Sequence, residues 1–373
     1  MDGVKKNTCG RQQLYFALLI ATFILITYSG FTLTRNASEG KPLDYRVTNR
    51  TVPHESHQTT EEPPAKKITT KKPTPKKATS SSCLKNAFKE VLLVVVYNYP
   101  FYDSVPHLVA LYKPAFPHLL FCGPPDDTER SDILNVDIIR GFLGYECLGR
   151  AIRKYPGYKG YFYISDDVLL KYWNFPNFDR GKIWESSSIR SNPVNESPST
   201  EWYWWASRYG LENCRRALGD VANITVKKTK LNGKYLLNTL LKNSGGILRC
   251  FGSRSDVLYI PQKHANAFSI LSNTFYKQKV FLEIAVPTIS RLLELSENIT
   301  RLPGYYIPGK RGDPRVSDSR FFWYLYFPHK EYSFIHPFKL HREELDSKFN
   351  LVMLKFIFIE KIKQLTKCMP TLL

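Results

Sequence analysis

The tract YFYISDDVLL, Tyr161 to Leu170, runs aromatic and β-branched residues into two adjacent carboxylates, Asp166 and Asp167, and then turns apolar again. Like charges side by side cost free energy unless water or a cation screens them. At a strand end such a pair suits Mn²⁺ or Mg²⁺, hard cations that take oxygen ligands and share them with phosphates. The cation would act as a Lewis acid on a leaving diphosphate. One carboxylate can ligate while its neighbour, pointing the other way along an extended chain, orients hydroxyls. A solvated Asp-Asp turn is the plain alternative, and the dipeptide alone favours it.

Other residues could complete a reaction. In KVFLEIAVPTISRLLE, Glu283 interrupts an apolar segment. A carboxyl in such surroundings has a raised pKa and suits a general base for an acceptor hydroxyl, although a helix-surface residue or a buried ion pair would give the same pattern. YNYPFYDS places Tyr97, Asn98 and Tyr99 where they could stack on or bond a nucleobase, against an ordinary aromatic loop. EWYWWASRYG offers Trp202, Trp204 and Trp205 as sugar-stacking faces, with Trp204 the candidate; such clusters also build cores. Asp256 in SRSDVLYIP is a candidate donor-sugar or acceptor contact, or a turn residue. IPGKRGDPR supplies Lys310, Arg311 and Arg315 on a glycine-rich loop that could close over a diphosphate.

The elements that must hold these groups alternate. EVLLVVVYN, Glu90 to Asn98, is a continuous apolar run expected as a strand buried on both faces. DSVPHLVALYKPAF predicts a short helix with Asp103 or Ser104 as N-cap and Pro106 in its first turn. HLLFCGPP reads as a strand, GFLGYECLGRAIRKYP as an amphipathic helix, and GYFYIS as the strand that carries Asp166 and Asp167 at its carboxyl end. Strands alternating with helices predict an α/β fold with a mixed, mostly parallel sheet flanked by helices. In such sheets ligands sit beyond the carboxyl ends of the strands, where the Asp pair falls.

Compartment follows from the N-terminus. Leu14 to Leu33 carries no charge and is long enough, at ~1.5 Å per residue, to cross a hydrocarbon core of ~30 Å. Lys5, Lys6 and Arg11 precede it, which leaves residues 1–13 as a cytosolic tail and 14–34 as a transmembrane signal-anchor; a cleaved signal peptide is the alternative. Residues 35–82, rich in Pro, Thr, Lys and Ser, predict a disordered stem. Residues 83–373 form the luminal domain. Cys83, Cys122, Cys147, Cys214, Cys250 and Cys368 suit disulfides in an oxidising lumen, with connectivity left open. Asn36, Asn49, Asn195, Asn223 and Asn298 begin glycosylation sequons. A net charge of +20 favours anionic partners. The luminal placement and the lack of a nucleic-acid motif exclude nucleic acid.

An anchor, a Pro/Thr/Lys-rich stem and an α/β domain with an acidic strand end resemble a type II Golgi glycosyltransferase of the GT-A fold. YFYISDDVLL is similar to the metal-binding DxD region of those enzymes, with Ser165 at the first acidic position, Asp166 in the middle and Asp167 at the last. The resemblance implies Asp167 as metal ligand and Mn²⁺ (or Mg²⁺) as cofactor, with Asp166 left as a substrate contact that orients sugar hydroxyls. IHPFKL resembles the late element that completes the metal shell, which makes His336 a ligand and Lys339 a phosphate contact. Glu283 stands where inverting members place their base. The implied partners are a nucleotide sugar, a UDP-sugar by preference, and a glycan or glycoconjugate acceptor. The serine at position 165 departs from the pattern, so a catalytically inactive GT-A-like binding protein is the competing expectation.

Overall fold

Every residue of Val91–Val96 (β1) is buried, and the run is split between two cores. Leu92, Val94 and Val96 face one apolar cluster; Val91, Leu93, Val95 and Tyr97 face another. Alternate side chains of a strand leave by opposite faces, so an unbroken apolar run is what a sheet covered on both sides requires. The computed structural model describes residues 84–126, 130–175, 178–186, 189–226, 231–307, 331–341, 347–355 and 359–366. The predicted anchor and stem, Cys83, Cys368 and the basic loop with Lys310, Arg311 and Arg315 lie outside them. Among the described residues no helix is long and apolar enough to cross a membrane.

The strands in chain order are β1, His118–Gly123 (β2), Ile133–Asn135 (β3), Gly160–Ser165 (β4), Leu169–Leu170 (β5), Trp184–Glu185 (β6), Arg190–Pro193 (β7), Thr225–Val226 (β8), Leu231–Asn232 (β9), Arg249–Gly252 (β10), Val257–Pro261 (β11), Thr300–Arg301 (β12), Gly304–Tyr306 (β13) and Phe334–His336 (β14). The helices are Val105–Tyr112 (α1), Tyr145–Lys154 (α2), Tyr203–Ala206 (α3), Leu211–Ala222 (α4), Gly233–Asn243 (α5), Gln262–Lys277 (α6), Leu282–Leu293 (α7), Ser347–Met353 (α8) and Ile359–Thr366 (α9). The central sheet has seven strands in the order β12-β6-β11-β4-β1-β2-β3. Of these, β11 alone runs against its neighbours. This is the mixed, mostly parallel α/β sheet that the alternating pattern predicts.

Helices α2, α4, α6 and α7 supply Leu148, Leu218, Leu271 and Ile289 to one core, and Leu108 of α1, Leu354 just after α8 and Ile362 of α9 belong to the other. Two disulfides staple the first layer: Cys122–Cys147 joins the end of β2 to α2, and Cys214–Cys250 joins α4 to β10. The α1 helix starts at Val105 with Pro106 in its first turn, as expected. Ser104 stands at the N-cap, as expected, but makes no side-chain cap bond and donates its hydroxyl to the Phe101 carbonyl, while Asp103 lies inside the preceding 3₁₀ turn. The α2 helix begins at Tyr145, later than the tract from Gly141 suggests; Ile139, Arg140 and Gly141 all have positive φ and turn the chain first.

A buried ion pair locks α7 to the sheet. Arg291 donates from Nη1 to Glu185 Oε1 at 2.9 Å and from Nη2 to Oε2 at 3.0 Å, and Nη1 also reaches the Pro287 carbonyl. Both side chains are almost fully enclosed. Removing one partner strands a buried charge, so Arg291→Ala or Glu185→Ala is expected to lower stability by about 3–5 kcal/mol. Denaturant midpoints will check this, and unchanged midpoints would contradict the placement of α7.

Candidate functional site

The β1 and β4 strands run in parallel and finish together, with Val96 opposite Ser165. Whatever follows each strand therefore emerges at one edge of the sheet. From β1 this is Tyr97 and Asn98; from β4 it is Asp166 and Asp167. Because β11 is antiparallel to β4, its beginning meets the same edge: Val257 lies opposite Ile164, and the Ser165 amide donates to the Asp256 carbonyl at 3.0 Å. Asp256 is thereby brought beside the Asp pair, which its position in sequence does not reveal.

The late segment is delivered by a second, small sheet. After the turn at Ser165–Val168 the chain forms β5, which pairs antiparallel with β14 in the register Leu169 to Ile335 and Leu170 to Phe334. Continuing that register sets His336 and Pro337 beside Val168 and Asp167, and the Phe338 amide donates to the Asp167 carbonyl at 2.6 Å. The His336–Pro337 peptide is cis. His336 Nε2 then lies 3.2 Å from Asp167 Oδ1 and 3.4 Å from Asp256 Oδ1, and Lys339 Nζ donates to Asp167 Oδ2 at 2.6 Å.

These contacts set the charge states. Burial alone would raise the Asp167 carboxyl, but Lys339 and His336 outweigh it and hold the group well below the usual carboxylate range. Burial opposes a charge on His336, yet Asp256 and Asp167 push the imidazole up to about 9. Asp167 Oδ1 is buried and accepts no well-formed hydrogen bond. Such an orphaned oxygen beside an imidazole nitrogen fits a divalent cation, because two neighbouring ligands at about 2.1 Å in an octahedral shell are about 3 Å apart. Among the described residues no group of three or more His, Cys, Asp or Glu is already spaced as a metal shell. The Lys339 ammonium takes the second Asp167 oxygen, and ligation by His336 would require release of its proton.

Glu283 lies in the first turn of α7. Burial first, then the nearby Asp256 charge, push its carboxyl up to about 8, against Arg254, His336 and Arg190. Its backbone is anchored by a sequence detail. Pro287 has no N–H with which to bond the Glu283 carbonyl four residues back, and that carbonyl accepts instead from the Ser253 amide at 2.8 Å. The first turn of the helix is so docked on the link between β10 and β11, which carries Arg254 and Asp256.

The remaining predicted residues divide. Tyr97 is fully buried, with its hydroxyl 2.7 Å from Ser104 Oγ, so its ring offers no face to a ligand; the expectation that it stacks on a base is corrected on that ground. The exposed aromatic surface passes to Tyr99, which stacks on Phe101 at 5.3 Å, and Phe101 stacks in turn on His341 at 3.9 Å. His341 Nδ1 is 2.6 Å from Asp103 Oδ1, tying this loop to the late segment. Asn98 packs its amide over Gly141, where a Cβ would lie 2.0 Å from its oxygen. Asp166 is partly exposed, and its amide donates to the Val96 carbonyl. Trp204 stacks on Phe281 at 4.1 Å and is half-buried against the core, away from the freely exposed face that sugar stacking needs. Ser165 is buried, its hydroxyl 3.5 Å from that of Tyr163. Two surface hollows, one lined by Lys85 and Lys113 and one by Tyr235 and Lys242, include none of the residues predicted for the site.

Residues 54–249 match the family model of the STELLO glycosyltransferases, which is more than half of the chain. The chain belongs to the STELLO glycosyltransferase family. Curated relatives include the probable glycosyltransferases STELLO2 and STELLO1 of Arabidopsis thaliana, 20% identical over 200 and 217 residues. Those alignments take in 54% and 58% of this chain but 24% and 26% of the relatives, so the chain matches about a quarter of their length. Among solved structures, the apo WbbM bifunctional glycosyltransferase covers 74% of this chain and 52% of its own at a TM-score of 0.34 and 7% identity, too slight a likeness to argue from. The STELLO match takes in Asp166 and Asp167 and stops before Asp256, Glu283, His336 and Lys339. What draws these four into the site is geometry.

Sequence reasoning overlooked Arg190, Arg254 and Tyr306. Arg254 sits two residues before Asp256, and that spacing was a usable signal. Arg190 and Tyr306 reach the site only through strand pairing, for which the sequence holds no local mark.

Proposed function

We propose that this protein transfers a sugar from a nucleotide diphosphate sugar, a UDP-sugar by preference, to a glycan or glycoconjugate acceptor in the Golgi lumen, anchored by residues 14–34. The observation that carries this reading is the meeting of Asp167, Asp256, His336 and Lys339 at the carboxyl edge of the sheet, with Asp167 Oδ1 buried beside the His336 imidazole. Asp167 and His336, with Asp256 beside them, would hold Mn²⁺ or Mg²⁺; the bound cation supplies Lewis-acid stabilisation of the departing diphosphate. Lys339 reaches the surface from Asp167 and can swing onto a phosphate oxygen. Tyr99 and Asn98 line the base side, and Asp166 the sugar or ribose side. Glu283, as carboxylate, takes the proton of the acceptor hydroxyl while that oxygen bonds the anomeric carbon and the bond to the diphosphate breaks.

The competing reading, a catalytically inactive luminal protein that binds glycans or partners, is favoured by Ser165 and by the Lys339 ammonium on Asp167. A panel of nucleotide sugars separates the two. The full-length chain is expected to release nucleotide from one donor with Mn²⁺ and to stop with EDTA. No release from any donor rejects the transferase; release untouched by EDTA rejects the metal.

A further inference from the structure

His336 meets two carboxylates, and the two contacts arise differently. The contact to Asp167 follows from the pairing of β5 with β14. The contact to Asp256 crosses from the small sheet to the link between β10 and β11, and a line of side chains crosses the same gap. Tyr306, at the end of β13, lies opposite His336 in the parallel register with β14, and the Ile307 amide donates to the His336 carbonyl at 2.8 Å. The Tyr306 ring meets the imidazole edge-on, 5.6 Å between centroids, and its face carries the Arg254 guanidinium at 4.2 Å. The Tyr306 hydroxyl donates to Ser186 Oγ at 2.9 Å, and the Ser186 hydroxyl donates to the Arg254 carbonyl, also at 2.9 Å. Arg254 stands two residues before Asp256. Because β6 and β4 both run against β11, they finish at one edge, so Ser186 leaves the sheet where Asp166 and Asp167 do.

Proton counting fixes the direction of this line. A serine hydroxyl owns one proton, and Ser186 gives it to the Arg254 carbonyl, so towards Tyr306 its oxygen can only accept. Ser186 is buried, and a buried oxygen that loses its donor is poorly compensated by water. Groups that hold ligands without touching the ion govern how well a site binds it, because a ligand free to swing loses the geometry that a divalent cation needs. Resting on the cation reading above, we infer that Tyr306 and Ser186 are positioning residues. Their hydrogen bond clasps β13 to the link that carries Asp256, and so holds His336 and Asp256 at a separation that one cation can bridge.

Titration of the full-length chain with Mn²⁺, read by electron paramagnetic resonance, tests this without turnover. In the parent chain the bound ion is expected to show spin-echo modulation from an imidazole nitrogen. Tyr306→Phe keeps the ring beside His336 and Arg254 and removes the hydroxyl; Ser186→Ala removes the relay. Each should weaken Mn²⁺ binding by about tenfold and reduce the nitrogen modulation. The double variant should lose no more than either single one, because both break the same line. Unfolding midpoints without cation set a temperature at which every variant is folded. Variants that bind Mn²⁺ as tightly as the parent at that temperature overturn the inference and leave the cation reading standing. So do losses that multiply to about a hundredfold in the double variant, since the two hydroxyls would then act apart. A parent chain that binds no Mn²⁺ rejects the cation reading itself, and the clasp falls with it.

Discussion

Asp167→Asn is expected to cut nucleotide release and transfer by about 10²–10⁴-fold, the range that several kcal/mol of lost Lewis-acid stabilisation gives. The substitution keeps the shape of a buried side chain and the backbone bond from Phe338, so the fold should persist. It removes the negative charge that holds His336 and Lys339 in place. A freed Lys339 can turn to water, since its side chain is partly exposed, and this limits the cost in stability. Two measurements separate a lost cation from a lost fold: Mn²⁺ affinity by electron paramagnetic resonance, and circular dichroism. An Asn variant with wild-type turnover would remove Asp167 from the site, whatever its position at the strand end.

Glu283→Gln should move activity and stability in opposite directions. A carboxyl whose pKa rises on folding from 4.5 to about 8 keeps in the native state a proton that the unfolded chain gives up. Native stability therefore falls as pH rises between those two values, and stays low above them. Glutamine carries no such penalty. At pH 8 without added cation, the variant is expected to be more stable by about 1–3 kcal/mol, and near pH 4 the difference should vanish. Turnover of the parent chain should climb with pH through about 8, as the base form fills. In the variant that limb should be absent, and the rate lower by about 10²–10⁴-fold. A variant that is less stable at pH 8 would place Glu283 in a structural ion pair. A pH limb that persists would give the base to another group. Product stereochemistry adds an independent reading, because a base acting on the acceptor in a direct displacement inverts the anomeric centre.

The contrast between what the sequence discloses and what it hides has a physical origin. β1, β2 and β4 were legible as apolar runs because both faces of each are covered, and α1 announced itself through Pro106. Asp166 and Asp167 drew notice because two like charges after such a strand cost free energy unless water or a cation screens them, although a solvated turn would give the same dipeptide. The reversed direction of β11 was not legible, since an apolar strand reads the same either way. That reversal is what brings Asp256 to the edge. Tyr97 misled for a related reason: a tyrosine after a strand looks like a loop aromatic until a partner such as Ser104 draws its hydroxyl inward. His336 and Lys339 came from family resemblance rather than pattern, and their contact with Asp167 spans more than 160 positions, beyond the reach of any local rule.

That span bears on biosynthesis. The seven paired strands of the central sheet are complete at β12, although one of its faces is covered later by Phe334, Phe338, Leu354 and Ile362, and Asp167 acquires its imidazole and ammonium neighbours only when β14 pairs with β5. A chain emerging N-terminus first can therefore pair its sheet strands before the proposed site is complete. The proposed site is completed late: until β14 is paired, the nascent chain carries only the Asp166 and Asp167 half of it.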